Sequence, residues 1–349
     1  MGLTANFSDP AWVEENAQQW CFENPDAQIC ENVRSNYDYE MSLAANVTFI
    51  VLFGISFFGF VGVYAFTRKA TAFTVALCLG LICEVLGYGG RIMGWINPWD
   101  ENGFLMQICC LTIGPAFMAA GIYLCLRRIV AVFGPENSRI PPAYYTRIFI
   151  PCDVIALVFQ ALGGALASIA SSNNESVDLG SNIMIVGLAF QVATILGFII
   201  VSTDFAIRVW RRYRAQGSSI FPQDPALVTM RSSKRFKGFL ICLGLSAFLI
   251  MWRSVFRVAE LSEGWDGELM THQEYFIAFE GVLIAVAVLI LNVFHPALCA
   301  RALFEGGGGM SGVWGFRSRK HRKMESEDKG VPLTTSASTS IRHENGSQV

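Results

Sequence analysis

Ionisable and amide side chains recur within long apolar stretches of this sequence. Their spacings of three, four and seven residues place the polar residues of one stretch on a common helical face. Such groups are costly in hydrocarbon, and they mark either a substrate pathway or a buried pair. The pattern therefore predicts an internal polar cavity or a tightly paired core. The candidate residues are Glu84, Tyr88, Arg91, Gln107, Asp153, Gln160, Gln191, Arg253, Arg257, Glu260, Glu280, Asn292 and His295.

Two of these sets admit a purely structural interpretation. Glu84 and Arg91 share a helical face, as do Arg257 and Glu260. Each pair would fix the packing of its helix if the two side chains formed an ion pair. Arg253 and Arg257 also lie near the end of their stretch, where their guanidinium groups would reach the head-group region. Direct recognition of a ligand is the functional alternative for both sets.

Asp153 and Glu280 differ from the other acids because neither has a cation on its own stretch. Asp153 lies seven residues before Gln160, so these two side chains share a helical face. An acid without a local partner favours a functional role, since ionisable groups within a membrane are rarely retained without one.

The elements that must position these residues are membrane-spanning helices. Of the 349 residues, 53% are hydrophobic and 15% are charged, and the mean hydropathy is +0.42. Soluble domains carry about 25% charged residues, so this excess of apolar side chains requires lipid. Seven uniformly apolar stretches are long enough to cross a hydrocarbon core about 30 Å thick, and too long for barrel strands. The predicted all-α fold is a polytopic membrane protein with transmembrane helices at 45–66, 72–95, 104–126, 148–170, 182–203, 238–256 and 275–299.

Lysine and arginine alternate between the predicted loops. The segment before the first helix has one, Arg34, against eight Asp and Glu residues, and the second, fourth and sixth loops have none. The first, third and fifth loops and the C-terminal segment all carry basic residues. Because cytoplasmic loops retain such residues, we expect the N-terminus outside and the C-terminus in the cytosol. The predicted domains are an extracellular segment 1–44, a membrane domain 45–300 and a disordered cytosolic tail 301–349, whose polar, low-complexity end cannot form a core.

The predicted outer segments contain candidates for covalent modification. Cys21 and Cys30 would lie on the oxidising side, where they either form a disulfide or remain free thiols. Asn6 and Asn174 each begin an Asn-X-Ser sequon and are candidates for glycosylation. In the tail, the basic cluster is interpreted as the positive-inside signal or as an attraction to anionic lipid.

Several chemistries are disfavoured by the residues that the sequence lacks. It has no phosphate-binding loop for ATP hydrolysis and no serine in a nucleophile-elbow pattern. Every lysine falls outside the seven predicted helices, which disfavours retinal binding. Four histidines are too few for a multi-histidine zinc hydrolase or an intramembrane haem. The net charge of −2, with basic residues in short runs, indicates no nucleic-acid partner. The sequence therefore predicts neither an enzyme nor a cofactor or metal site, and the oligomeric state stays open.

Seven ordered motifs, spread across about 45–300, carry a family resemblance. They are EVLGYGGR at 84–91, QICCLTIGPAFMAAGIYLCLRR at 107–128, DVIALVFQALGG at 153–164, GLAFQ at 187–191, RSVFRVAE at 253–260, the stretch 264–274, and NVFHP at 292–296. The chain resembles the fungal RTA-like family, also called the lipid-translocating exporter family. The family's polar positions map onto Glu84, Arg91, Gln107, Asp153, Gln160, Gln191, Arg253, Arg257, Glu260, Asn292 and His295.

The resemblance implies a seven-helix fungal protein of the plasma membrane. It further implies resistance to toxic amphiphiles such as 7-aminocholesterol, and translocation or export of sphingoid long-chain bases from the cytosolic leaflet. Glu84, Asp153 or Glu280 would supply the negative partner for an ammonium head, and the amides would bind its hydroxyls. The partners are then membrane lipids and an amphiphilic small molecule. A seven-helix lipid receptor or sensor that does not transport is the main alternative, and a lipid-directed enzyme or accessory subunit is a further one.

Overall fold

The computed structural model describes residues 10–28, 30, 33, 35, 37, 39–172, 176–217, 221–264 and 267–304. Asn6, Asn174 and the tail beyond Phe304 lie outside these residues. Seven helices in the described part are long and apolar enough to cross a membrane. The predicted all-α fold with seven transmembrane helices is thereby confirmed, and the chain is an integral membrane protein.

The spanning helices extend beyond the apolar stretches at most of their ends, because hydropathy detects only the portion inside hydrocarbon. The fifth spanning helix, for example, continues through its arginine-rich end to Gln216, whereas the apolar stretch ends at 203. The first six spanning helices are α2 (Leu43–Thr67), α3 (Thr71–Ile96), α4 (Glu101–Phe133), α5 (Tyr144–Ser172), α6 (Asp178–Gln216) and α8 (Lys234–Ser262). Two shorter helices are α1 (Pro10–Glu23), before the first span, and α7 (Pro225–Ser232), before the sixth.

The seventh span is composite. Helix α10 (Gln273–Tyr275) leads into a π-helical turn at Phe276–Val282, and α11 (Leu283–Val293) completes the crossing. A short α9 (Glu268–Thr271) precedes it, and α12 (Pro296–Cys299) follows it. A π-turn shifts the side chains after it around the helix, and such turns are frequent at functional sites.

Small residues bring neighbouring helices into close contact. A Cβ added at Gly90 of α3 would lie 2.5 Å from the carbonyl oxygen of Gly103 on α4. On α5, a Cβ at Gly163 would lie 2.5 Å from the backbone nitrogen of Met184 on α6. Because lipid provides no hydrophobic force between helices, such backbone proximity is a main source of packing energy in a membrane.

The close α3–α4 contact predicts a loss of stability for one of two adjacent substitutions and not for the other. Gly90→Ala is expected to destabilise the protein by about 1–3 kcal/mol, because the new methyl group must separate the two backbones. Gly89→Ala is the matched control, since its Cβ would meet only the Met106 Cε atom at 3.9 Å. Thermal unfolding of the detergent-purified variants measures both effects. Equal melting temperatures for the two would show that the helices are not in contact at Gly90.

The outward faces of the helices are apolar. Phe58, Phe66 and Ile241 are 73%, 93% and 71% exposed in the chain alone. A soluble protein does not leave such large side chains uncovered over a contiguous belt, so this surface is suited to lipid. The charged candidates lie on the inward faces instead.

The N-terminal segment packs on the side of the bundle at which α2 begins, hereafter the N-terminal side. Cys21 and Cys30 are joined by a disulfide, with their Cα atoms 5.7 Å apart. The Asn97 side chain, in the α3–α4 loop, donates a hydrogen bond to the Phe22 carbonyl at 3.0 Å. Residues 10–41 thus include a covalently closed loop that is attached to the bundle.

Candidate functional site

A group of five ionisable side chains, hereafter the charged core, lies buried between α3, α8 and the π-turn. On α8, Arg253 forms an ion pair with Glu280 of the π-turn. Arg257 pairs with Glu260 at 2.5 Å, and its Nε atom lies 4.0 Å from Glu280 Oε2. The fifth member is Glu84 of α3, and all five are at most 6% exposed.

The predicted snorkelling of Arg253 and Arg257 is wrong, because both guanidinium groups point into the bundle and are buried. The expectation that Arg257 and Glu260 would pair agrees with the geometry. Burial of this pair is tolerated because each charge has an opposite charge and hydrogen bonds within reach.

Arg253 also satisfies a backbone carbonyl that a proline leaves free. Pro115 lies inside α4 and has no N–H to donate to the Leu111 carbonyl four residues earlier. Arg253 Nη2 donates to that oxygen instead, at 2.5 Å. In hydrocarbon such a carbonyl must find an internal partner, so Pro115 and Arg253 are complementary elements that join α4 to α8.

Glu84 differs from the other acids of the charged core in having no hydrogen-bond partner for either carboxyl oxygen among the described residues. Its Oε1 atom lies against α4, where a Cβ on Gly114 would approach it to 2.8 Å. One turn along α3, the Tyr88 hydroxyl is equally buried and equally without a partner. Three oxygen atoms on one helical face therefore accept no hydrogen bond among the described residues.

The interpretation of Glu84 and Arg91 as an ion pair is wrong. Arg91 Nε donates to Asn46 Oδ1 at 3.1 Å, and Nη2 donates to the Tyr39 hydroxyl at 3.0 Å. Its guanidinium carbon lies 3.9 Å from the centre of the Phe276 ring, a cation–π distance. Seven residues span about two helical turns, which is too far for Arg91 to reach the acid directly.

The N-terminal segment covers this end of the site. Besides the Tyr39 contact, the Tyr37 hydroxyl donates to Gln107 Oε1 at 2.8 Å. Burial raises the pKa of Tyr37, so its hydroxyl keeps the proton that this bond requires. Gln107 is therefore bound by the covering segment rather than aligned with the charged core.

Asp153 lies apart from the charged core. It is 3% exposed, its two carboxyl oxygens have no hydrogen-bond donor, and it faces the Tyr123 hydroxyl of α4. Gly114 and Tyr123 are nine residues apart on α4, which is about 14 Å along the axis and about half a turn around it. Glu84 and Asp153 therefore contact opposite faces of α4 at different depths.

The amide candidates form contacts between helices. Gln160 Nε2 donates to Gln191 Oε1 at 3.0 Å, which joins α5 to α6. Asn292 Nδ2 donates to the Ser56 carbonyl of α2 at 2.8 Å and packs over Gly59. Neither contact includes a member of the charged core.

His295 caps a helix. Its Nδ1 atom accepts a hydrogen bond from the Ala297 N–H at 3.1 Å, at the start of α12. Its ring lies between Phe60 and Phe73, with centroid distances of 5.5 and 5.6 Å. This position, on the side of the bundle opposite the N-terminal segment, separates His295 from the charged core.

Sequence reasoning missed the uncharged partners of these groups. Tyr39, Asn46 and Tyr123 each face an ionisable side chain, but they lie in an apolar or N-terminal context without a distinguishing spacing. Pro115 carried the one usable signal, because a proline inside a membrane helix requires a donor for the carbonyl four residues earlier.

A family model described as RTA1 like protein matches residues 77–302. This chain belongs to the RTA1-like family. Its relatives in Saccharomyces cerevisiae include the Sphingoid long-chain base transporter RSB1 of strain Lalvin EC1118, which is 33% identical over 294 residues, or 78% of this chain and 76% of the relative. Protein RTA1 is 28% identical over 75% of this chain and 85% of its own length. Protoporphyrin uptake protein 1 is 29% identical over 61% of this chain and 65% of its own length. No solved structure is significantly similar to the chain.

Proposed function

We propose that this RTA1-like protein translocates cationic single-chain amphiphiles, of the sphingoid long-chain base class, across the bilayer. The observation that carries the proposal is the set of three unpartnered oxygens, two on Glu84 and one on Tyr88, beside the paired charges of the core. The similarity to a protein named as a sphingoid long-chain base transporter supports the choice of substrate class.

The three oxygens match the donors of a primary ammonium group. An alkylammonium carries three N–H donors and no acceptor. Glu84 supplies the negative charge in its ionised form, and Tyr88, four residues later on the same face, supplies a further acceptor. Desolvating an ammonium is costly unless it is paired and hydrogen-bonded, so such a set lowers the barrier for the head group.

The paired charges are suited to keeping this site in place. Arg253 and Arg257 engage Glu280 and Glu260, so these two acids are not available to an ammonium, whereas Glu84 is. The alkyl tail needs no protein site, because the outer faces of the helices and the surrounding lipid are both apolar. Transport of this kind would protect a cell against toxic cationic amphiphiles, and we place it at the plasma membrane.

Movement of a labelled sphingoid base in liposomes that contain only the purified protein tests the proposal. We expect faster transbilayer movement than in empty liposomes of the same lipid composition. Tight binding without movement would overturn the transporter assignment and favour a receptor or sensor. Neither binding nor movement would show that this amphiphile class is not the ligand.

The proposed orientation places the N-terminal segment outside the cell and the loops rich in arginine in the cytosol. A sequon inserted into the 134–143 loop is expected to remain unglycosylated, whereas one inserted near Pro10 is expected to be glycosylated. Both variants are read by the mobility shift that an endoglycosidase removes. Glycosylation of the 134–143 loop alone would reverse the orientation.

A further inference from the structure

We propose that Asp153 and Tyr123 form a proton-binding site, and that a proton leaves Asp153 and then returns to it during each transport cycle. This inference rests on the proposed function and adds a driving force to it. The site lies between α4, α5 and α6, on the face of α4 that points away from Glu84.

The carboxyl group of Asp153 is enclosed. The side chain is 3% exposed, and neither oxygen has a hydrogen-bond donor among the described residues. Tyr123 is 1% exposed, and its hydroxyl faces the carboxyl without completing a hydrogen bond. An ionised carboxylate in such surroundings would be far more costly than a neutral acid, so the group holds either a proton or a ligand cation.

Among the described residues, no compensating charge faces Asp153 at this level. Tyr123 is the titratable residue that faces it from α4, and Cys152 is its neighbour on α5. The antiparallel register that sets Gly163 against Met184 and Phe149 against Phe198 places Thr194 of α6 opposite Asp153.

Thr194 and the nearest arginines complete this environment. The Thr194 hydroxyl already donates to the Phe190 carbonyl, so it offers no proton to Asp153. Arg127 and Arg147, the nearest arginines along α4 and α5, lie one to two helical turns away along the chain. The bound cation must therefore be accommodated by one carboxyl and one phenol.

A proton fits this donor set better than a metal ion does. Hard cations such as Ca²⁺ take six to eight oxygen ligands, and the described residues contain no cluster of three or more metal-ligating side chains. On deprotonation the O–H bond of Asp153 breaks, the proton passes to water, and the Tyr123 hydroxyl is placed to donate to the resulting carboxylate. The reverse step restores the neutral acid.

The position of the site relative to Glu84 gives the proton a role in transport. Both acids contact α4, and Pro115 removes one internal hydrogen bond from that helix next to Gly114, which touches Glu84. A helix with a missing internal hydrogen bond is a natural point of bending. Loss of the Asp153 proton would favour an arrangement of α4 and α5 that admits water to the carboxylate. The resulting movement of α4 would alter the face of this helix that contacts Glu84.

The test uses a fluorescent single-chain amphiphile with an alkylguanidinium head, which has N–H donors for Glu84 and Tyr88 and stays positively charged across the pH range used. In liposomes containing the wild-type protein, an imposed gradient of one pH unit is expected to sustain roughly a tenfold concentration ratio of the amphiphile, in one-for-one exchange with protons. Asp153→Asn should abolish the ratio. Ser254→Ala is the matched control, because this buried hydroxyl bonds only within its own helix, to Ile250, and should preserve the ratio.

The infrared spectrum gives a second readout that does not depend on transport. A protonated-carboxyl band that is present in the wild-type protein near neutral pH and absent in Asp153→Asn is expected, and Tyr123→Phe should shift it. Movement that does not depend on the pH gradient, or an infrared spectrum that Asp153→Asn leaves unchanged in this region, would overturn the proton site while leaving the proposed function intact. An absence of movement in the wild-type protein would instead remove the proposed function, and the infrared result would still decide the state of Asp153.

Discussion

Arg253→Met is expected to destabilise the protein by about 3–5 kcal/mol, the largest loss of stability that we predict for a single substitution. The change leaves Glu280, which is fully buried, without its closest counter-charge, and it leaves the Leu111 carbonyl without a donor. Removing one partner of a buried pair costs more than the pair contributes, because the remaining charge stays in low dielectric. Thermal unfolding in detergent measures the loss.

A double substitution separates this explanation from a simple packing defect. Arg253→Met combined with Glu280→Leu removes both charges, and we expect the double variant to be more stable than Arg253→Met alone. Ser254→Ala, at the neighbouring residue on α8, controls for disturbance of the helix and should change stability by less than about 1 kcal/mol. A double variant no more stable than Arg253→Met would contradict the pairing of Arg253 with Glu280.

Glu84→Gln is expected to reduce the rate of amphiphile movement at least tenfold, which corresponds to about 1.4 kcal/mol, while the protein remains folded. The substitution keeps the shape of the side chain and removes its charge. Because neither carboxyl oxygen of Glu84 accepts a hydrogen bond, no described contact is lost and the unfolding temperature should be preserved. The initial rate of movement and the melting temperature are measured on the same preparations.

Glu280→Gln provides the matched comparison, because it removes the same charge from an acid that is paired. We expect the reverse result, in which the melting temperature falls more clearly than the rate of amphiphile movement. The loss of stability arises because Arg253 is left without its counter-charge. If Glu84→Gln transports at the wild-type rate, the ammonium head does not bind there. If Glu84→Gln instead unfolds the protein, Glu84 has a structural role that the described contacts do not reveal.

The extent to which the sequence predicted this site depends on where each partner lies along the chain. Arg257 and Glu260 are three residues apart on one helix, so their spacing alone placed them together. Arg253 and Glu280 are 27 residues apart on different helices, and helical periodicity says which face each occupies but not which helices face each other. The π-turn that carries Glu280 adds a local rotation for which the sequence shows no recognisable signal.

The wrong prediction for Arg91 has a related cause. A shared helical face is compatible with an ion pair to Glu84, but residues two turns apart on one helix do not touch. The groups that bind Arg91, Asn46 and Tyr39, are uncharged and come from α2 and from the segment before it. A neutral partner leaves no charge pattern in the sequence, and the same holds for Tyr123 beside Asp153.

The most direct test of the account compares two labelled amphiphiles with the same alkyl tail, one with an ammonium head and one with a neutral hydroxyl head, in liposomes that contain only this protein. We predict faster movement of the ammonium form than in empty liposomes, and little change for the neutral form, because only the former gains from a buried carboxylate. Equal acceleration of both forms would contradict recognition of the ammonium head by Glu84, since a path that does not discriminate by head-group charge would not need this carboxylate.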